Sequence, residues 1–335
     1  MKTDFKKVLI VSKMTEIEFD EFRYGDAVDE YYKRNKTDVP ALEKKHEYHQ
    51  ENLEKVINCF RDNDINPGII PRQSISKRDF NGNWDLIVAV GGDGTYMDTA
   101  RYVLDDTLFL GIKSSPYSVG AHFNTSFTDA EENIKRLLKG DFGVSEKMRL
   151  KGVVESDGFT ITDYALNEIA IGDTYLPGFA YLDVHMDGKV YNTGSSGIVI
   201  APYSGRTGWH DNINLLEKDA ERVERIRKAV RDVGIEDEDD LELMCKKAKF
   251  GPDEQDTARY RTMMARDMGS NFGFDYGILK PGEELKIVSK MRVDGMVFFD
   301  GSKPTKPRPR TYQLNYDGNV LVSISEKPLY TVEFG

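Results

Sequence analysis

Apolar runs alternate with helically spaced stretches along residues 1–145. Val8–Val11 reads as a buried strand, and Leu53, Val56, Ile57 and Phe60 recur at i, i+3, i+4 and i+7 as one face of a helix. Further strands are expected in "PGIIP" (67–71), "DLIVAV" (85–90) and "TLFLGI" (107–112). Helices are expected after Thr95 and over "DAEENIKRLLKGDF" (129–142). Strand and helix in alternation predict an α/β N-terminal domain with a parallel, doubly wound sheet.

The pattern changes near Met148. Short β-type runs are now punctuated by Asp-Gly in "ESDGF", "HMDGKV", "RVDGMV", "FFDGS" and "NYDGNV". Both residues tolerate positive φ, so these pairs signal hairpins and a mainly antiparallel β C-terminal domain. The expected division is 1–145 and 146–335, with the last residues returning to the first domain. A helical insertion is expected at about 214–277. Within it "LLEKDAERVERIRKAVRDVG" places Val223, Ile226 and Val230 on one face, and the acidic run 236–240 follows. A solvated excursion is the expected role. No fixed-period repeat is present.

Composition narrows the class. The 335 residues are 39% hydrophobic and 31% charged, as in globular chains, and the net charge of −11 argues against a nucleic-acid binder. Cys59 and Cys245 cannot build a disulfide framework or a zinc site unaided, and Cys59 on an apolar helix side is expected to be a buried thiol. No apolar run approaches the ~18 residues of a membrane span, and "MKTDFKKVLIVSK" lacks a secretory apolar core. A soluble cytoplasmic protein is expected, without membrane or nucleic-acid partners.

The candidate chemistry begins at "GGDGT". Gly91, Gly92, Asp93, Gly94 and Thr95 directly follow a buried strand and precede a helix. Glycines let backbone N–H groups approach phosphate oxygens, and the helix N-terminus favours an anion. A strand-to-helix turn needing positive φ would also use glycines, but it leaves the acid between them unexplained. Thr95 with Asp98 fits a capping box, so Thr95 also has a structural role open to it. The loop matches neither the P-loop nor the GxGxxG pattern.

GGDGT resembles the signature shared by NAD kinases and by the diacylglycerol and sphingosine kinase group. Two later stretches separate these. "DYALNEIAIGD" carries Asn167 and Glu168, which alone could be a polar strand end facing solvent. "SSGIVIAPYSGRTGWHDN" offers a strand, then Ser204, Gly205, Arg206, Thr207, Gly208, Trp209 and His210. Such a loop can stack a base and bind ribose or phosphate, or it can be an ordinary loop around a half-buried Trp. In this order the two stretches resemble the Asn-Glu pair and the "TGSTAYS" loop of NAD kinases. "NIKRLLKGDFGVSEKMRLKGVV", "VFFDGS" and "ISEKPLYTV" also resemble that family, and "SSPYSVGAHF" most resembles its mitochondrial-type branch.

The resemblance implies ATP-dependent phosphorylation of the adenosine ribose 2′-hydroxyl of NAD(H), with Mg²⁺ accompanying ATP. Asp93 would be the catalytic residue. Gly91, Gly92, Gly94, Thr95, Lys113 and Arg206 would serve the ATP phosphates. Asn167, Glu168, Ser204, Thr207, Gly208, Trp209, His210 and Asp300 would serve NAD. A homodimer or larger homo-oligomer is implied on the same basis. The chain departs from the family at Lys113, Arg206, His210 and Ser302. Alternatives are a GGDGT kinase for a lipid or another hydroxyl, and a non-catalytic nucleotide-binding member of the fold. "KPTKPRPR" (303–310) reads as a stiff basic loop, and His46 with His49 as surface or interface residues rather than a metal pair.

Overall fold

Buried apolar runs become strands, and amphipathic runs become helices, in the computed structural model, which describes residues 4–118, 120, 122–174, 178–205, 256–263, 276–301 and 310–335. The chain divides into two compact units, residues 1–147 with 327–335 and residues 148–326. The first unit begins with β1 (Val8–Ser12), α1 (Glu16–Tyr24), α2 (Val28–Asn35), α3 (Val39–Arg61) and β2 (Gly68–Pro71). It continues with β3 (Leu86–Gly91), α4 (Asp93–Ala100), β4 (Leu108–Lys113), α5 (Ala130–Leu138) and β5 (Gly143–Lys147). The second unit opens with β6 (Leu150–Ser156), β7 (Phe159–Ala165), β8 (Ile169–Asp173), β9 (Ala180–Met186), β10 (Lys189–Ser195) and β11 (Gly197–Pro202). After it come β12 (Ala258–Met263), β13 (Tyr276–Leu279), β14 (Glu284–Ser289), β15 (Gly295–Phe299), β16 (Thr311–Gln313) and β17 (Asn319–Ile324). β18 (Leu329–Glu333) belongs to the first unit.

The first sheet has the order β2-β1-β3-β4-β18-β5, parallel except where β5 runs against β18. Leu86–Val90 are all buried, as a central strand covered on both faces requires. Each such side chain contributes about 1.5–3 kcal/mol relative to exposure. α1 starts at a capping box in which Thr15 and Glu18 satisfy each other's backbone N–H. α3 starts at Asp38, whose side chain accepts from the Ala41 N–H, and it buries Val56, Cys59 and Phe60 in the core. Burial raises the pKa of the Cys59 thiol, as expected for an inert packed cysteine.

Two antiparallel sheets form the second unit, in the orders β10-β9-β14-β17-β6-β7 and β13-β12-β11-β8-β15-β16. Alternate residues of both, among them Val154, Val184, Ile287, Val322, Ile171, Ile198 and Phe299, meet in one core. The five Asp-Gly pairs divide by role. Asp157-Gly158 and Asp187-Gly188 take positive φ at both residues and close two-residue hairpins between paired strands. Asp294-Gly295 instead enters β15 in extended backbone, and Asp317-Gly318 leads from one sheet to the other. Asp300-Gly301 has positive φ at both residues but serves as a carboxylate clasp rather than a tight hairpin. The stretch expected to be a helical insertion lies largely outside the described residues, but its later part is not helical: β12 and the start of β13 fall within 214–277 and pair in the second sheet of this unit.

Candidate functional site

Parallel strands β2, β1, β3 and β4 end at one edge of the first sheet, where ligands bind in open α/β folds. Lys13 follows β1, Arg72 follows β2, Gly92 follows β3, and Ser115 lies just past β4. With Lys45 from α3, these residues line a cleft of about 270 Å³. That is below the ~300–1,000 Å³ of sites enclosing a drug-sized ligand, and nearer to the scale of a phosphate chain.

Close approach explains Gly91 and Gly94, and positive φ explains none of the three glycines. Gly92 is extended (φ −112°, ψ −178°), and a Cβ there would meet nothing within 4 Å. A Cβ on Gly91 would collide with the Thr95 side chain. One on Gly94 would stand 2.9 Å from both terminal nitrogens of Arg72. α4 begins at Asp93, three residues earlier than a Thr95 cap would place it. Gly92 already supplies the extended capping residue, and no side chain caps the first turn. Asp98 therefore does not complete a box with Thr95; its Oδ2 accepts from Arg72 Nε at 2.6 Å and pairs with NH2 at 2.5 Å.

Asp93 lies in that first turn. Its Oδ1 is buried with no hydrogen-bond partner, and a Cβ on Gly120 would stand 2.5 Å from it. Gly120 thus closes over the carboxylate. Lys147 supports the same wall: its Nζ donates to the His122 carbonyl at 2.8 Å and lies 5.2 Å from the Tyr96 ring centroid. Burial pulls its pKa down to about 8, against the attraction of Glu333 and Asp93. Burial also lowers the pKa of Lys13, partly offset by Glu16, while Lys45 repels it. Among the described residues, no ion pair engages Lys13 or Lys45. Two neighbouring ammonium groups without an ion-pair partner favour an anion in the cleft, although Glu16 also lines it.

The residues expected to act on phosphate are partly gathered here. Gly92, Gly94 and Thr95 line the cleft, while Gly91, Asp93 and Lys113 are not part of its lining. Lys113 stands opposite Gly91 in the β3–β4 register, and its carbonyl accepts from Asn52 Nδ2. Lys13, Lys45 and Arg72 were missed, although Lys13 and Arg72 each directly follow an apolar strand run. His49 is not a surface group, and His46 is half-buried. His49 is 1% exposed with Nε2 2.9 Å from the Ser12 hydroxyl, and His46 Nδ1 is 2.8 Å from the Thr15 hydroxyl. Both tie α3 to the segment around Lys13, because the buried β1 exit leaves hydroxyls that need partners. Burial and Lys13 depress the His49 pKa to about 4.

In the second unit, Asn167, Glu168, Ser204 and Asp300 converge. Asp300 Oδ1 accepts from the N–H groups of Leu166 (2.9 Å) and Asn167 (2.7 Å), and its own N–H donates to the Glu168 carbonyl. The Ser204 hydroxyl donates to the Leu166 carbonyl at 3.0 Å. Gly205 packs so closely that a Cβ would overlap the Asn167 carbonyl. Glu168 is buried, and Asn167 is half-buried. Arg206, Thr207, Gly208, Trp209 and His210 lie outside the described residues. Arg310, read in the sequence as the end of a stiff basic loop, is 1% exposed between the carboxylates of Asp163 and Asp300.

No family model matches the chain. It is 23% identical to rat "NAD kinase 2, mitochondrial" over 280 residues, 68% of this chain and 64% of that one. It is 32% identical to the NAD kinase of Geotalea daltonii over 133 residues, 39% of this chain and 46% of the relative. The matches thus span less than two thirds of the length of either curated relative. A structure of yeast NADH kinase complexed with NADH superposes with a TM-score of 0.60 at 13% identity, covering 99% of this chain and 84% of the other. An NAD kinase from Archaeoglobus fulgidus in complex with ATP gives 0.56 at 15% identity, covering 98% and 93%. These likenesses show a shared fold.

Proposed function

We propose that this chain, which is related in sequence to the NAD kinases and shares their fold, transfers the terminal phosphoryl group of ATP to the adenosine ribose 2′-hydroxyl of NAD(H). The observation that carries the reading is Asp93. A carboxylate with a buried, unpartnered oxygen stands at the start of a helix whose glycine loop opens on a cationic cleft. The ribose oxygen forms a bond to the γ-phosphorus, the bond to the β–γ bridging oxygen breaks, and ADP leaves. Asp93 takes the hydroxyl proton. Transition states of this kind need positioning and charge neutralisation more than covalent help.

Gly91, Gly92, Gly94 and Thr95 present the loop to the phosphates. Lys13, Lys45 and Arg72 supply positive charge, with Lys113 and Arg206 as further cations. Asn167, Glu168, Ser204, Thr207, Gly208, Trp209 and His210 serve NAD, with Asp300 holding the backbone of the first two. Among the described residues no three His, Cys, Asp or Glu side chains form a metal group. Mg²⁺ fits here through Asp93 and the donor phosphates, the usual mode for this ion, and it would neutralise phosphate charge. The remaining finer readings are also proposals: a doubly wound first unit, a helical insertion between β11 and β12, a homo-oligomer and a cytoplasmic location. No helix among the described residues is long and apolar enough to cross a membrane. Incubating the chain with MgATP and NAD or NADH, and measuring NADP(H), tests the reading. No product under either acceptor, with phosphorylation of a lipid instead, would reject it.

A further inference from the structure

Arg310 is a large, almost fully buried side chain that the proposed chemistry does not use. It stands immediately before β16, where a guanidinium would ordinarily reach solvent. Instead NH1 donates to Asp300 Oδ2 at 2.5 Å. NH2 donates to Asp163 Oδ1 at 3.4 Å and also to the Tyr164 carbonyl. The Tyr312 hydroxyl, two residues on, donates to Asp163 Oδ2 at 2.7 Å. One cation therefore bridges the end of β7 to the turn after β15.

The segment between those anchors is Leu166–Glu168. Asp300 spends one oxygen on two amides of that segment and the other on Arg310. Its backbone N–H holds the Glu168 carbonyl as well. Asp300 can hold this pose at φ +50°, an uncommon conformation for a non-glycine residue, because its carboxylate is fixed on both sides. Without the guanidinium, two buried carboxylates would lose their counter-charge beside a third, that of Glu168.

We infer that Arg310 is a positioning residue for dinucleotide recognition. Acting through Asp300, it fixes the backbone of Asn167 and Glu168, so that the pair meets the adenosine ribose in one geometry. The inference rests on the NAD kinase reading. Small displacements of such groups cost rate and affinity far more than stability, up to ~10²-fold for about 1 Å. A fork-shaped donor is required, because two carboxylates and a carbonyl are engaged at once and a lysine cannot span them.

The test compares Arg310→Lys and Tyr312→Phe with wild type in steady-state kinetics, melting temperature and amide exchange at Leu166 and Asn167. For Arg310→Lys the expected result is a rise of about tenfold or more in KM for NAD, with KM for ATP within about twofold. Exchange at the two amides should be faster. Tyr312→Phe should show the same pattern more weakly, and it carries the test if Arg310→Lys does not fold. Unchanged KM for NAD and unchanged exchange in folded variants would overturn the inference alone. Equal rises in KM for both substrates would overturn it too, since they indicate general loosening. A wild-type protein that neither binds NAD nor makes NADP(H) would overturn the kinase reading together with the inference.

Discussion

The two candidate half-sites solve opposite problems. In the first unit, the glycine loop leaves polar groups unsatisfied: Asp93 Oδ1 is an orphan, and Lys13 and Lys45 have no ion-pair partner among the described residues. In the second, the polar backbone around Asn167 and Glu168 is pinned by Asp300, Arg310 and Ser204. Unsatisfied groups suit the end where charge moves, because they are held ready for a ligand that neutralises them. A pinned pair suits the end where an acceptor must be held still. The contrast teaches that one chain can hold polar groups unsatisfied at one candidate site and fully engaged at another.

Asp93→Asn strikes the first half hardest. It should lower kcat by about 10²–10⁴-fold while NAD binding persists, measured by turnover and calorimetry. Equal turnover would remove Asp93 from its role. Next, Lys13→Gln combined with Lys45→Gln should raise KM for ATP about tenfold, with the difference shrinking at high salt as screening weakens the attraction the wild-type lysines supply. KM for NAD should not move. A parallel rise in both constants would erase the division between the halves. Gly205→Ala probes the second half. Its methyl group would meet the Asn167 carbonyl, so melting should report a loss of about 1–3 kcal/mol and KM for NAD should rise.

The smallest effect concerns pH. The folded-state pKa of His49 is about 4, against about 6.5 when unfolded. Between those values the unfolded chain binds the extra proton, so stability falls as pH drops from 6.5 to 4. The ceiling is about 3 kcal/mol, from about 1.4 kcal/mol per pH unit. His49→Gln should flatten that limb of a denaturation series, and an unchanged limb would remove His49 as its cause.

Legibility followed range. β1, β3 and β4 were readable because a run buried on both faces is apolar throughout, and GGDGT was readable because close backbone approach demands glycine. Lys13, Lys45 and Arg72 were not, since a cation gains its meaning only when the ends of separate parallel strands meet. Asp300 was attached to NAD by resemblance, whereas its two oxygens are engaged by the chain itself. Arg310 was misread because a basic residue amid prolines looks solvated, and the two acids that bury it come from distant strands. The Asp-Gly pairs show the same limit: local φ preference was legible, but only the strand partners decide which pair closes a hairpin.

The position of β18 has a consequence for the order in which this protein can be made. Residues 329–333 fill the gap between β4 and β5, so the first unit is synthesised early yet cannot complete its sheet until after residue 326 has been added. At about 5–20 residues per second, translating residues 148–326 takes roughly ten to forty seconds. Through that interval β4 lacks the neighbour that covers its edge in the finished sheet.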